Sequence, residues 1–182
     1  MAIILGINAF HADSSASIFK DNELLFAIEE EKLIRQKHWA GFPIQAIESC
    51  LKFSNIQASM VTDVSINTNP ISNLNKKIPY FLKNYLFGRK KSEIFKRIKN
   101  KFNIKKYLVK KLNFNQDIKI HYIDHHLSHI ASSFYPSNFE ESLALSVDGF
   151  GDFSSLNIAK CYNGQIKILH KTFFPNSLGI FY

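Results

Sequence analysis

Short blocks of apolar residues, separated by polar joints, mark the elements of this chain. Ile3–Asn8 is apolar almost throughout and reads as a buried strand. Ser15–Phe19 and Glu23–Glu29 read as two further strands, and Asp21-Asn22 between them is turn chemistry. Pro43–Phe53 brings Ile44, Ile47 and Leu51 to one face of a short helix. Val61–Ile66 is a strand that ends before the loop Asn67–Pro70. A helical excursion follows, in which Lys91–Lys111 spaces Ile94, Phe95, Ile98, Phe102, Ile104 and Leu108 at helical intervals. Ile118–Ile123 is again a strand. Asp124 is placed to cap a helix running through Ser133, because its carboxylate accepts orphan backbone donors. Leu143–Val147, Ser155–Lys160 and Ile166–Thr172 complete the pattern, with Asn163-Gly164 as a hairpin turn.

The two ends share one plan. ILGINAFHADSSASIFKDNELLFAIEE and LALSVDGFGDFSSLNIAKCYNGQIKILHK each run strand, polar loop, strand, two-residue turn, strand. Asp13 with Ser14-Ser15 corresponds to Asp152 with Ser154-Ser155. This reads as an internal duplication of a three-stranded meander. The layout resembles the actin, sugar-kinase and Hsp70 superfamily, an RNase H-like α/β fold whose halves face each other across a nucleotide cleft. In that fold the first hairpin turn of each half directs backbone N–H groups at phosphates. Gly149 and Gly151 in DGFGD suit close backbone approach to such a ligand. The expected organisation is a first lobe over 1–140, with a helical insert over about 71–113, and the start of a second lobe over 141–182.

Composition narrows the classes. The 182 residues are 46% hydrophobic and 14% aromatic, which excludes a disordered chain. At this length folding hides roughly 70% of the unfolded surface, so no disulfide framework is needed. Cys50 and Cys161 are the only cysteines and form no CxxC, which excludes a cysteine zinc site and fits a reducing, cytoplasmic setting. No apolar run reaches the ~18 residues of a membrane span, and no Lys or Arg precedes the apolar opening, so it makes a poor signal peptide. The net charge of +8 is uneven: residues 76–111 hold 14 of the 23 Lys and Arg and one of the 15 acids, leaving the remainder at −5. That basic, aromatic-rich segment reads either as a helical face wetted by lysines or as an anion-binding surface.

The histidines carry the candidate chemistry. In HYIDHHLSH, His125 and His129 stand at i and i+4 and project from one helix face, a spacing that lets both reach one ion. Asp148, at the end of the next strand, is the candidate third ligand. Two His and one carboxylate form a facial set suited to iron or another divalent metal. His126 points about 100° away round the helix. His11 and Asp13 lie in the first loop, where His11 is able to act as a general base on a hydroxyl. Lys37 and His38 precede the turn at Gly41 and Pro43 and supply cations for an anionic group or an ordinary charged surface.

Four blocks now carry a resemblance: GINAFHADSSAS, EEEKLIRQKHWAGFP, DHHLSHIASSFYPSNFEESLALSVDGFGD and FPNSLGIFY. In this order they resemble the O-carbamoyltransferases of the nodulation-factor and antibiotic-tailoring type. The related tRNA threonylcarbamoyl-transfer enzymes share the His pair and fold but not RQKHWAGFP. The resemblance implies that a carbamoyl group from carbamoyl phosphate is activated with ATP as carbamoyl adenylate in a separate C-terminal domain. The actin-like domain then passes it to a substrate hydroxyl, often on a sugar. It implies His125, His129 and Asp148 as metal ligands, His11 beside the transferred group, and Lys37 as the cation next to it. Asp13, Gly149, Gly151 and Asp152 fall at nucleotide- or carbamoyl-binding positions.

Two departures accompany the resemblance. Many members read HD at the first loop where this chain reads HAD, displacing Asp13 by one position. Family members also run to several hundred residues. The expectation is therefore a fragment that lacks the second-lobe helices and the adenylate-forming domain, and that is inactive and poorly soluble by itself. One face of its second meander is left without a covering layer. Two other classes compete: an actin-like ATPase or kinase, which needs DGFGD but not HxxxH, and a module binding nucleic acid through residues 76–111.

Overall fold

A computed structural model describes residues 2–85 and 103–181. β1 (Ile3–Asn8), β2 (Ser15–Lys20) and β3 (Glu23–Glu29) pair antiparallel in sequence order. β1 also pairs in parallel with β4 (Asp63–Ile66), and β4 in parallel with β5 (Lys119–Tyr122). The result is a mixed sheet in the order β3-β2-β1-β4-β5. Period-two alternation sends Ile3, Leu5 and Ile7 of β1 into a core with Ile18, Val64 and Ile66.

Helices close that core. α1 (Glu30–Ile34) follows β3 directly, and α2 (Ile44–Phe53) buries Ala46, Ile47 and Cys50. α2 begins at Pro43, which offers no side-chain cap. The buried Glu30 fills that role from a distance: its carboxylate accepts from Gln45 N at 3.1 Å and Ala46 N at 2.7 Å. Burial pushes the Cys50 thiol up to about 11, so it is a packing group and not a nucleophile.

α3 (Leu74–Tyr85) contains Pro79, and α4 (Ile104–Leu112) buries Ile104 and Leu108 while Lys105, Lys106, Lys110 and Lys111 stay exposed. The C-terminal end of the basic segment is thus a core-facing helix with a wetted lysine face, whereas α3 leaves Leu74, Ile78 and Leu82 exposed. The expected helical positions Ile94, Phe95, Ile98 and Phe102 lie outside the described residues.

The second sheet is a three-stranded antiparallel meander of β6 (Glu141–Gly151), β7 (Ser154–Tyr162) and β8 (Gln165–Phe173). β6 runs past Val147, where the sequence pattern ended it. Val147 pairs with Leu156 and Gly151 with Ser154, so Asp148, Gly149 and Phe150 together stand opposite Ser155. This bulge turns the strand end away from the regular ladder. The hairpin turn is then Asp152-Phe153, at φ 50° and 73°, and not the glycines. Asn163 and Gly164 also take positive φ, as a two-residue hairpin turn requires.

α5 (His125–Phe134) lies on the second sheet and packs Ile130 and Phe134 against Ala159 and Cys161. The sequence division had placed this helix in the first lobe. The chain divides instead into Met1–Asn67 with Lys90–Tyr122, and Thr68–Arg89 with Ile123–Tyr182, because α5 buries its apolar face on β6 and β7. The opposite face of the second sheet leaves Leu143 and Leu145 75% and 66% exposed. Among the described residues, no helix is long and apolar enough to cross a membrane.

Candidate metal centre

α5 owes its start to Asp124, whose carboxylate accepts from Leu127 N at 3.3 Å. The other oxygen accepts from the Ser72 hydroxyl at 2.9 Å and from Lys171 Nζ at 3.1 Å. Burial raises the Asp124 pKa, but Ser72 and Lys171 lower it further, so the carboxyl ends below its ordinary range.

Helical phase then separates the three histidines of α5. His126 is fully buried against the sheet. Its Nε2 donates to the Ser154 carbonyl at 2.9 Å, and its Nδ1 accepts from the Ser146 hydroxyl at 2.7 Å. Both nitrogens are used, so this ring is a packing and hydrogen-bonding group. His125 and His129 share the other side. Their Nε2 atoms lie 3.1 Å apart. Asp148 Oδ2 is 2.7 Å from His125 Nε2 and 3.8 Å from His129 Nε2.

These separations suit a shared ion. Ligand atoms ~2.1 Å from a metal sit about 3.0 Å apart at right angles and about 3.4 Å apart in a tetrahedron. Two imidazole nitrogens and one carboxylate oxygen fit that requirement in both spacing and chemistry, so the residues present fit a divalent transition ion. The β6 bulge delivers Asp148 to the site, and Gly149 N–H holds its second oxygen at 2.6 Å. Burial raises the Asp148 pKa, while the His125 ring and the Gly149 N–H lower it further, leaving the carboxyl below its usual range. An anionic Asp148 is the form a cation requires. The His125 ring is 6% exposed and that of His129 55%, so the centre has one closed side and one open side. An open groove of about 360 Å³ adjoins it, lined by His129, Ser133, Leu145, Val147 and Asp148.

Two of the residues expected to contact nucleotide or carbamoyl are committed within the protein. A Cβ on Gly151 would lie 2.0 Å from His125 Cδ2, so the space beside this glycine is filled by the imidazole. Both Asp152 carboxylate oxygens already accept donors: Oδ1 from the Thr68 hydroxyl at 2.7 Å, Oδ2 from Asn69 N at 2.7 Å and His125 N at 3.0 Å. Gly149 is different. A Cβ there would meet only Ile180 Cγ1, at 3.8 Å. The sequence places Thr68 and Asn69 in the loop Asn67–Pro70, and Asn73 in the helical excursion after it, with no functional role for any of the three. Their signal was the run of Thr, Asn and Ser in INTNPISN, side chains that bond readily to nearby backbone and carboxylates.

His11, Asp13 and Lys37 belong to the first unit. The loop after β1 is tied to the loop before α2 by Phe10 N–H to Gly41 O and Ser14 N–H to Trp39 O, each at 3.0 Å. The Ser14 hydroxyl adds a bond to Gly41 O at 2.8 Å. These bonds bring the HAD and KHWAG segments together. His11 and Lys37 are exposed. Asp13 Oδ1 lies 3.0 Å from His38 Nδ1, and His38 N–H donates to Glu31 at 3.1 Å. Asp13, Glu31 and His38 form a polar surface group whose candidate ligand atoms lie within 4.8 Å of one another.

Residues 3–182 match the family model described as carbamoyltransferase N-terminus. The chain belongs to this family. Among its relatives, it is 30% identical over 190 residues to the uncharacterized protein sll1178 of Synechocystis sp., covering 100% of this chain and 31% of that one. It is 30% identical over 177 residues to the nodulation protein NolNO of Sinorhizobium fredii, covering 96% of this chain and 25% of that one. The uncharacterized protein MJ1051 of Methanocaldococcus jannaschii is 28% identical over 181 residues, 99% of this chain and 28% of that one. The chain therefore spans under a third of the length of these relatives. YeaZ from Pseudomonas aeruginosa shares the fold with a TM-score of 0.52 at 12% identity, over 96% of this chain and 68% of that one. The fold is thus a mixed α/β one, shared with YeaZ.

Proposed function

We propose that this chain forms the front part of an ATP-dependent O-carbamoyltransferase. The enzyme moves a carbamoyl group from carbamoyl adenylate, made from carbamoyl phosphate and ATP, to a hydroxyl on a sugar or other biosynthetic intermediate. Membership of the carbamoyltransferase family supports the reaction class. The observation that carries the site is the convergence of His125, His129 and Asp148, with ligand atoms 2.7–3.8 Å apart.

In this reading the three residues hold a divalent ion, with iron the favoured one. A bound ion supplies Lewis-acid polarisation of a carbonyl. His11 takes the proton from the attacking hydroxyl as its oxygen bonds to the carbamoyl carbon. The bond from that carbon to the adenylate oxygen breaks, and AMP departs with the electron pair. Lys37 offsets the charge that develops on the carbonyl oxygen. Asp13, held by His38, orients the first loop, and the half-open Gly149 edge is the part of DGFGD left to face the transferred group. The two meanders descend from one duplicated unit. The remaining length of the relatives supplies the adenylate-forming step, in cis or in trans.

The test is a chimera in which this chain replaces the matching segment of NolNO. Carbamoyl phosphate and ATP are supplied with a panel of sugar acceptors, and labelled carbamoyl incorporation and AMP release are followed. Incorporation is expected, with a loss of 10²-fold or more in His11→Ala, as for removal of a general base. His125→Ala and His129→Ala are expected to lose both metal and transfer. A chimera that transfers carbamoyl equally well without His11 and His125 refutes the assignment.

A further inference from the structure

The first turn of α5 has more backbone donors than Asp124 alone satisfies. Asp124 accepts from Leu127 N. The N–H of His125 finds its partner in the Asp152 carboxylate instead, at 3.0 Å, across a sequence separation of 27. The same carboxylate takes the Thr68 hydroxyl and Asn69 N–H, each at 2.7 Å, and the Asp152 carbonyl accepts from Asn73 Nδ2 at 2.9 Å. Asp152 is therefore a junction between the β6–β7 turn, the loop that opens at Thr68, and the first residue of the histidine helix.

We propose that Asp152 is a positioning residue that aims the metal ligand His125. This inference rests on the reading of His125, His129 and Asp148 as a metal centre. The carboxylate holds the His125 backbone at its N–H, where the helix dipole favours a negative charge. Gly151, one residue earlier, makes room for the ring at the other end of the side chain. Asp148 meets the ring Nε2 at 2.7 Å. Backbone, ring face and ring nitrogen of His125 are thus all addressed by one segment, Asp148–Asp152. The DGFGD motif works as a mould for a ligand histidine. Groups outside the coordination sphere that orient ligands in this way set metal affinity as strongly as 10–100-fold.

Cobalt(II) is the probe, titrated into the chain and followed by its visible absorption, with a thermal melt of each variant alongside. Asp152→Ala is expected to weaken cobalt binding 10–100-fold and to change the shape of the absorption band. Asp152→Asn is expected to restore affinity, because its amide oxygen still accepts the two N–H groups while its NH₂ donates to Thr68. Thr68→Val removes one of the three donors without touching a ligand, and a loss of about fivefold is expected. It serves as the deciding variant if Asp152→Ala does not fold. Wild-type cobalt affinity and band shape in a folded Asp152→Ala, or in Thr68→Val where Ala does not fold, overturn the proposal. If the wild-type chain binds no cobalt, it is the metal reading that fails. The positioning role is then decided in the metal-free protein, where the His125 ring nitrogen signals report its bond to Asp148. Those signals move in the variants if Asp152 aims the ring, and stay fixed if it does not.

Discussion

Replacing Gly151 by alanine tests the centre at its tightest point. The added Cβ would sit 2.0 Å from His125 Cδ2, 2.2 Å from Cγ and 2.7 Å from Cβ. The ring has to retreat by about 1 Å merely to reach 3.0 Å, the closest that real Cβ contacts come. Metal–ligand distances tolerate only about 0.2 Å, so a retreat of that size takes His125 out of the proposed coordination sphere. Added to the 2.7 Å bond to Asp148, a retreat of that size breaks the hydrogen bond. Overpacking of this kind costs about 1–3 kcal/mol in folding stability. The loss of cobalt affinity is expected to reach about 100-fold, the upper end of what misplaced ligands cost. Gly149→Ala is the internal control, because its Cβ meets only Ile180 at an ordinary 3.8 Å. A cobalt titration with visible detection, paired with thermal unfolding, reads both variants. The reasoning is refuted if Gly151→Ala binds cobalt like the wild type, or if Gly149→Ala is impaired as much.

Three further expectations concern the scaffold. Glu30→Ala removes the acceptor of two α2 N–H groups and leaves that of Ala46 buried without a partner, so urea denaturation should show a loss of about 1–3 kcal/mol. Ile47→Ala opens a cavity in the core of the first sheet, and the same assay should show about 2–5 kcal/mol. The Asp124 carboxyl lies below its ordinary 3.8 in the folded chain, so its contribution is fully present above that value. It is lost as pH falls through the lower folded value. Stability of Asp124→Asn against wild type, measured by urea from pH 7 to pH 2, should show a deficit that shrinks only below about pH 4. A deficit that shrinks between pH 7 and pH 5 contradicts this assignment.

The strands of both meanders were readable because their side chains alternate or run apolar between strong turn residues. Asp21-Asn22 and Asn163-Gly164 take positive φ in the structure, as such joints imply. The His125, His129 and Asp148 set was also legible, since helical phase and a strand end give the necessary directions. What the sequence concealed was long-range. The bulge at residues 148–150 is visible only once β6 is registered against β7. DGFGD reads locally as a glycine turn, yet the turn residues are Asp152 and Phe153, and the space at Gly151 belongs to His125. Glu30 capping α2 and Asp152 accepting from His125 join residues 15 or more positions apart, where no local periodicity records them. The reading of α5 as part of the first lobe failed for a related reason. Chain order places it before the second sheet, but Ile130 and Phe134 find their apolar partners there.

The bulge makes the number of residues in this stretch a parameter in its own right. Val147 and Gly151 are each fixed by a partner on β7, and three residues span the gap opposite one. Deleting one of the three need not open the hairpin, but it would rebuild the bulge that brings the Asp148 carboxylate to His125 and His129. Substitution at Phe150 changes a side chain, whereas deletion there changes the bulge itself and with it the reach of the carboxylate. Length between Val147 and Gly151 is therefore a specification as strict as the identity of Asp148 itself, and an engineer transplanting this centre onto another hairpin would have to copy the spacing before the residues.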